Sequence, residues 1–173
     1  IWLFASSLKS NDTMFLNTYS LIPIKLDAAV NYLGAWKGVA GVSLLTFLGN
    51  SAFVTIVGTI GCVFTSILAA YAFTRVHFRF SRFWFSCVLV TMMIPTQVMV
   101  VPQYIILKKM NLIDTRIALI LPWFFGGGFF IFLLVQSLKA IPRELDEAAK
   151  IDGCGHFRIL FNILVPVLKP SIV

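Results

Sequence analysis

The charged residues most able to do work lie in one short stretch, Ile141-Pro142-Arg143-Glu144-Leu145-Asp146-Glu147-Ala148-Ala149-Lys150-Ile151-Asp152-Gly153. It reads as a short helix with definite ends. Pro142 suits a first helical position, Glu144 and Asp146 favour the positive end of the helix dipole, and Gly153 can adopt the left-handed backbone that stops a helix. Asp146 and Lys150 stand in the favourable acid-before-base i,i+4 order. A second amphipathic stretch follows, with Phe157, Leu160, Phe161 and Leu164 expected on one face, and runs into Pro166 and Pro170. The expected unit is helix, glycine turn, helix. An interfacial helix resting on lipid headgroups is the blander reading, and Glu144, Asp146, Glu147 and Asp152 fit poorly beside anionic lipid.

Other chemistry-bearing types are sparse. His77 and His156 fall in expected loops, far apart in sequence and without carboxylates at ligand spacing, so they read as surface histidines. Cys62, Cys87 and Cys154 show neither paired nor metal-type spacing. Met92, Thr96, Met99 and Gln103 are expected on one helical face; packing against a partner helix is its first reading and lining a solute path its second.

The elements that must position these residues follow from composition. The 173 residues are 59% hydrophobic and 12% charged, with a mean hydropathy of +0.92, which points to a bilayer rather than water as the solvent. The net charge of +7 reads as basic loops of a membrane protein, not as a nucleic-acid surface. No Lys, Arg, Asp or Glu occurs between Lys37 and Arg75, Arg82 and Lys108, or Arg116 and Lys139. Since a helix crosses the hydrocarbon in about 20 apolar residues, spans are expected near 46–73, 84–106 and 118–138. Residues 1–7 read as the end of an earlier helix and the stretch from Ile163 as the start of a later one. The chain starts without Met and stops within an apolar stretch, so both ends read as cuts.

The short connection bearing Arg75, His77, Arg79 and Arg82 is purely basic and belongs on the cytoplasmic side, together with the loop 139–162. The segment 8–43 is then external, as is the connection with Lys108, Lys109 and Arg116. Gly58, Cys62, Ser66 and Ala70 recur every four residues and predict a helix-packing seam. Pro95 and Pro102 are each expected to bend the second span, and Gly126, Gly127 and Gly128 to allow close packing or a kink in the third. The expected spans contain no charged residue and no His, so the energy for any transport comes from another subunit rather than an ion-coupling site, and a membrane hydrolase lacks its nucleophile and base.

Glu147-Ala148-Ala149, three residues, Gly153, nine residues, then Ile163-Leu164-Val165-Pro166 resembles the EAA loop of permease subunits in binding-protein-dependent ABC importers. Val165 stands where that family usually has Leu. Gly49-Asn50-Ser51, Ala69-Ala70-Tyr71-Ala72-Phe73, Ile94-Pro95, Val101-Pro102 with Tyr104, and Asn31-Tyr32 resemble the carbohydrate-uptake branch, specifically the maltose-type second permease. The resemblance implies an all-α, polytopic type I importer domain, one partial transmembrane unit over 1–173 that lacks the family's last two spans. It also implies a second permease, two cytoplasmic ATPase subunits that bind the ATP and magnesium, an external solute-binding protein and a sugar substrate. This chain would bind no cofactor and would be no enzyme. By position, Glu147, Ala148, Ala149, Asp152 and Gly153 would couple it to an ATPase, with Glu147 as the acidic contact and Gly153 as the turn. The competing readings are an importer permease for a non-sugar solute, a non-transporting scaffold and a membrane enzyme.

Overall fold

The computed structural model describes residues 1–15 and 19–172. Of the expected external segment 8–43, residues 16–18 lie outside the described residues. Two compact units divide the chain, residues 1–53 and the residues from Val54 onward.

The first unit contains α1 (Trp2–Ser7), α2 (Asn11–Met14), α3 (Ala28–Lys37) and the start of α4 (Leu44–Arg75). The Asn31 side-chain amide donates to the Ser7 and Lys9 carbonyls at 3.0 and 2.8 Å, and Tyr32 Oη lies 2.9 Å from Ser7 Oγ. These bonds, with an isolated Lys9–Leu26 bridge, tie α3 to the turn after α1.

The second unit continues α4 and adds α5 (Ser81–Met93), α6 (Thr96–Lys109), α7 (Arg116–Ile120), a 3-10 turn (Leu121–Phe125), α8 (Gly128–Ala140), α9 (Glu144–Ile151) and α10 (His156–Arg158). A π-helical turn (Ile159–Leu164) leads into α11 (Val165–Ile172). Among the described residues two stretches are long and apolar enough to cross a membrane, α4 and Arg116–Ala140, and a third qualifies if α5 and α6 form one bent span.

The expected span 46–73 lies wholly inside α4. The expected span 84–106 is not a single helix: α5 and α6 meet at 105° across Ile94-Pro95. Ile94 is extended (φ −82°, ψ 120°), as the residue before a proline prefers. Pro102, also expected to bend this span, lies inside an uninterrupted α6. The stretch 118–138 is interrupted by the 3-10 turn and by Gly126, whose φ of +73° suits glycine.

The core of this unit is a stripe on α8, Ile131, Leu134, Val135 and Leu138, at the i, i+3, i+4, i+7 spacing of one helical face. It meets Ile67, Ala70 and Tyr71 of α4, Ala149 of α9, and Ile159, Leu160, Leu164 and Leu168 of the last turns. The expected small-residue seam is present: Gly58, Cys62, Ser66 and Ala70 are all buried. A Cβ on Gly58 would stand 3.6 Å from Trp123, and one on Gly61 only 2.5 Å from Phe124. The absent side chains let the 3-10 turn approach α4, the close contact on which helix association in lipid depends.

Candidate functional site

The loop after α8 folds as the expected helical hairpin. Pro142 falls two residues before α9 rather than at its first position, and Arg143 is the N-cap. Gly153 has φ +78°; its N–H bonds Lys150 O at 3.0 Å and the Cys154 N–H bonds Ala149 O at 2.9 Å. That pair of bonds is the Schellman arrangement, which satisfies the last carbonyls of α9 and turns the chain toward α10.

The two faces of α9 differ. Glu144, Glu147, Ala148 and Lys150 are exposed, as are Asp152 and Gly153 beyond it, whereas Asp146 and Ala149 point inward. Among the described residues Glu147 and Asp152 form no ion pair, so their carboxylates are open to solvent or a partner. Ala149 packs into the chain's own core, so of the two alanines only Ala148 faces outward.

Asp146 does not pair with Lys150 as its spacing suggested. Its Oδ2 lies 2.7 Å from Arg75 Nε at the end of α4, with the two side chains 9% and 6% exposed. The pair is close, but Arg75 Nε is not aligned as a hydrogen-bond donor and Asp146 Oδ1 has no hydrogen-bond partner among the described residues. Arg75 also donates through a terminal nitrogen to Ile141 O at 2.8 Å, and Arg143 donates to Thr74 O at 3.1 Å. Tyr71 Oη and His156 Nδ1 are 2.8 Å apart. A cavity of about 200 Å³ opens here, lined by Tyr71, Arg75, His77, Arg143, Asp146, Glu147 and Lys150. The basic connection after α4 and the acidic hairpin therefore share one end of this unit.

These contacts escaped the reading of the sequence, which placed Arg75 in a short basic connection and gave it no partner. One signal was there: Tyr71 and Arg75 at i,i+4 share a helical face, as do Asp146 and Ala149 at i,i+3.

The second amphipathic stretch is phased differently from the expectation. Leu160 and Leu164 are buried, but Phe157 is 73% exposed, and Phe161 lies at the margin with its ring stacked on Phe64, centroids 6.0 Å apart. Ile159 takes the inward place instead. The wider π turn at 159–164 rotates the inward face away from that of a regular α-helix.

The expected face of Met92, Thr96, Met99 and Gln103 does not exist as one surface. Met92 lies on α5 and the other three on α6, beyond the 105° bend. Thr96 and Met99 are exposed. Gln103 alone of the four lines a groove of about 520 Å³, with Tyr104, Cys62, Pro122, Trp123, Gly126 and Gly127 among its other walls.

Residues 61–173 match the model of a family described as binding-protein-dependent transport system inner membrane component. The chain is 38% identical over 174 residues to the sn-glycerol-3-phosphate transport system permease protein UgpE of Agrobacterium fabrum, covering 97% of this chain and 60% of that protein. It is 34% identical to the probable ABC transporter permease protein YurM of Bacillus subtilis, covering 100% of this chain and 56% of the relative. The sulfoquinovosyl glycerol transport system permease protein SmoH of Agrobacterium fabrum is 30% identical, over 99% of this chain and 59% of its own length. The chain thus spans under two thirds of the length of these curated relatives. Among solved structures, a bacterial ABC transporter involved in import of the acidic polysaccharide alginate superposes with a TM-score of 0.80 at 23% identity, over 99% of this chain and 59% of that one.

Proposed function

Because this chain belongs to the family of binding-protein-dependent transport system inner membrane components, we propose that it forms part of the permease of an ATP-driven importer for a sugar or a related polyhydroxylated solute. The observation that carries the reading is the hairpin at one end of the helical unit, with Glu147, Ala148, Asp152 and Gly153 outward and its inner face packed into the core that α8 and α4 share. Such a surface suits docking of a second protein, since rigid shape and unpaired charge set specificity and rate of encounter. Glu147 is the acidic contact for a cytoplasmic ATPase subunit, and Gly153 holds the turn that aims the two helices. The chain is a transport subunit and not an enzyme; ATP and magnesium belong to the ATPase. The assembly contains a second permease, two ATPase subunits and an external solute-binding protein.

The groove beside Gln103 supports the solute class. Gln103 offers an amide donor and acceptor, and Tyr104 and Trp123 offer aromatic faces with a polar edge, a combination suited to hydroxyl-rich solutes. The permease names of the relatives, which mention sn-glycerol-3-phosphate and sulfoquinovosyl glycerol, favour the same class.

The test is reconstitution of the full-length permease with its partner subunits in proteoliposomes. A binding protein loaded with a sugar or glycerol phosphate should stimulate ATP hydrolysis and drive uptake. Stimulation by an amino acid instead would reassign the solute, and hydrolysis indifferent to any loaded binding protein would overturn the importer reading.

A further inference from the structure

Four side-chain contacts converge on the last turn of α4. Asp146 of α9 pairs with Arg75, Arg75 donates to Ile141 O ahead of α9, Arg143 donates to Thr74 O, and His156 of α10 meets Tyr71. Both arms of the hairpin and the segment entering it are therefore fastened to one helical turn, Tyr71 to Arg75, that is remote in sequence. We propose that the Arg75–Asp146 pair and the Tyr71–His156 bond are a transmission clamp. On the coupling role proposed above for the hairpin, they make displacement of α9 by an ATPase a displacement of α4.

A purely stabilising role fits the pair less well. Its desolvation cost is close to the attraction it recovers, and with Asp146 Oδ1 unsatisfied an apolar pair of similar volume would hold the fold as firmly. What a charged pair adds is direction, because it ties one point on α9 to one point on α4. The motion then has a route onward. From Tyr71 the same helix carries Ala70, Ser66, Cys62 and Gly58, the seam against which Trp123, Gly126 and Gly127 pack, and Cys62 lines the groove with Gln103. Arg75 and Asp146 are positioning residues in this scheme and touch neither solute nor nucleotide.

The experiment uses the full-length permease in its assembled transporter, with every cysteine of the assembly other than Cys62, including Cys87 and Cys154, replaced by serine so that Cys62 reports on α4. In this parent, ATP should change the rate at which a small thiol reagent labels Cys62. In the Arg75→Met/Asp146→Leu double variant the ATPase subunits should co-purify at parental levels, while the ATP-dependent change in labelling disappears. Uptake per ATP hydrolysed should fall severalfold. Tyr71→Phe, which removes one hydroxyl and keeps the ring, should reduce the labelling response partway, and this milder variant decides the matter if the double variant does not insert. A parental labelling response in both the double variant and Tyr71→Phe overturns the clamp. Failure of the ATPase subunits to co-purify with the parent itself is a distinct result, which overturns the coupling role of the hairpin and the clamp with it.

Discussion

Tyr71 Oη lies 2.8 Å from His156 Nδ1 although the two residues are 85 positions apart. The contact fixes which end of α4 faces the hairpin, and with Arg75–Asp146 it places the basic connection and the acidic hairpin on one side of this unit. Charge counts along the chain leave that ambiguous, because Lys108, Lys109 and Arg116 put cations in another connection as well.

Topology is open to direct measurement. With the native cysteines replaced by serine, a membrane-impermeant thiol reagent applied to intact cells should label Leu112→Cys and spare Arg79→Cys. In the proposed orientation the short basic connection and the hairpin face the cytoplasm together. Labelling at 79 with protection at 112 would invert the orientation and remove the hairpin from any cytoplasmic partner.

Glu147→Lys should leave insertion and abundance unchanged, because the spans insert by their apolar length. Its outward carboxylate contributes to no ion pair among the described residues, so the change falls on the proposed docking surface and on the rim of the cavity it shares with Arg75 and Asp146. Co-purification of the ATPase subunits should drop sharply. Parental co-purification with parental uptake would remove Glu147 from the interface.

At Gly153 the obstacle to substitution is backbone conformation, not space, since a Cβ there would meet nothing within 4 Å. A side chain held at φ +78° costs about 1–2 kcal/mol, and least for Asn. Gly153→Asn should therefore retain most coupled ATP hydrolysis and Gly153→Val should lose most of it. Equal activity in the two variants would show that the left-handed turn is not needed.

The seam on α4 should discriminate between neighbouring glycines. Gly58→Ala places its methyl at an ordinary 3.6 Å from Trp123, whereas Gly61→Ala brings one to 2.5 Å from the Phe124 ring. The Phe124 ring is partly exposed and must swing aside to admit the methyl, so Gly61→Ala should lower the melting temperature in detergent modestly and Gly58→Ala should barely change it. Adding Phe124→Ala should recover part of the Gly61→Ala loss; no recovery would mean that the two groups do not meet.

Gln103→Leu and Thr96→Val should separate in uptake assays. Gln103 faces the groove, so its loss should weaken apparent affinity or alter selectivity, while Thr96, exposed beyond the bend, should tolerate valine. Equal, parental uptake by both would return Gln103 to a packing role.

The sequence by itself determined that the chain is helical and apolar enough to span a bilayer. It also determined that small residues form a seam on the first long helix and that a helix-glycine-helix hairpin follows the third apolar run. Each of these is written in local composition or period: unbroken apolar length, a four-residue repeat of small side chains, and a glycine at a helix end. Tertiary structure alone decided the partners. Asp146 has a good local partner four residues away, yet its inward place on α9 brings it to Arg75, and no local pattern carries that distance. The bend at Ile94-Pro95 separates Met92 from Gln103, because a proline permits a kink without fixing its angle. The π turn at 159–164 puts Ile159 inward and leaves Phe157 exposed, since a change in residues per turn rephases the face that a 3.6-residue period assigns.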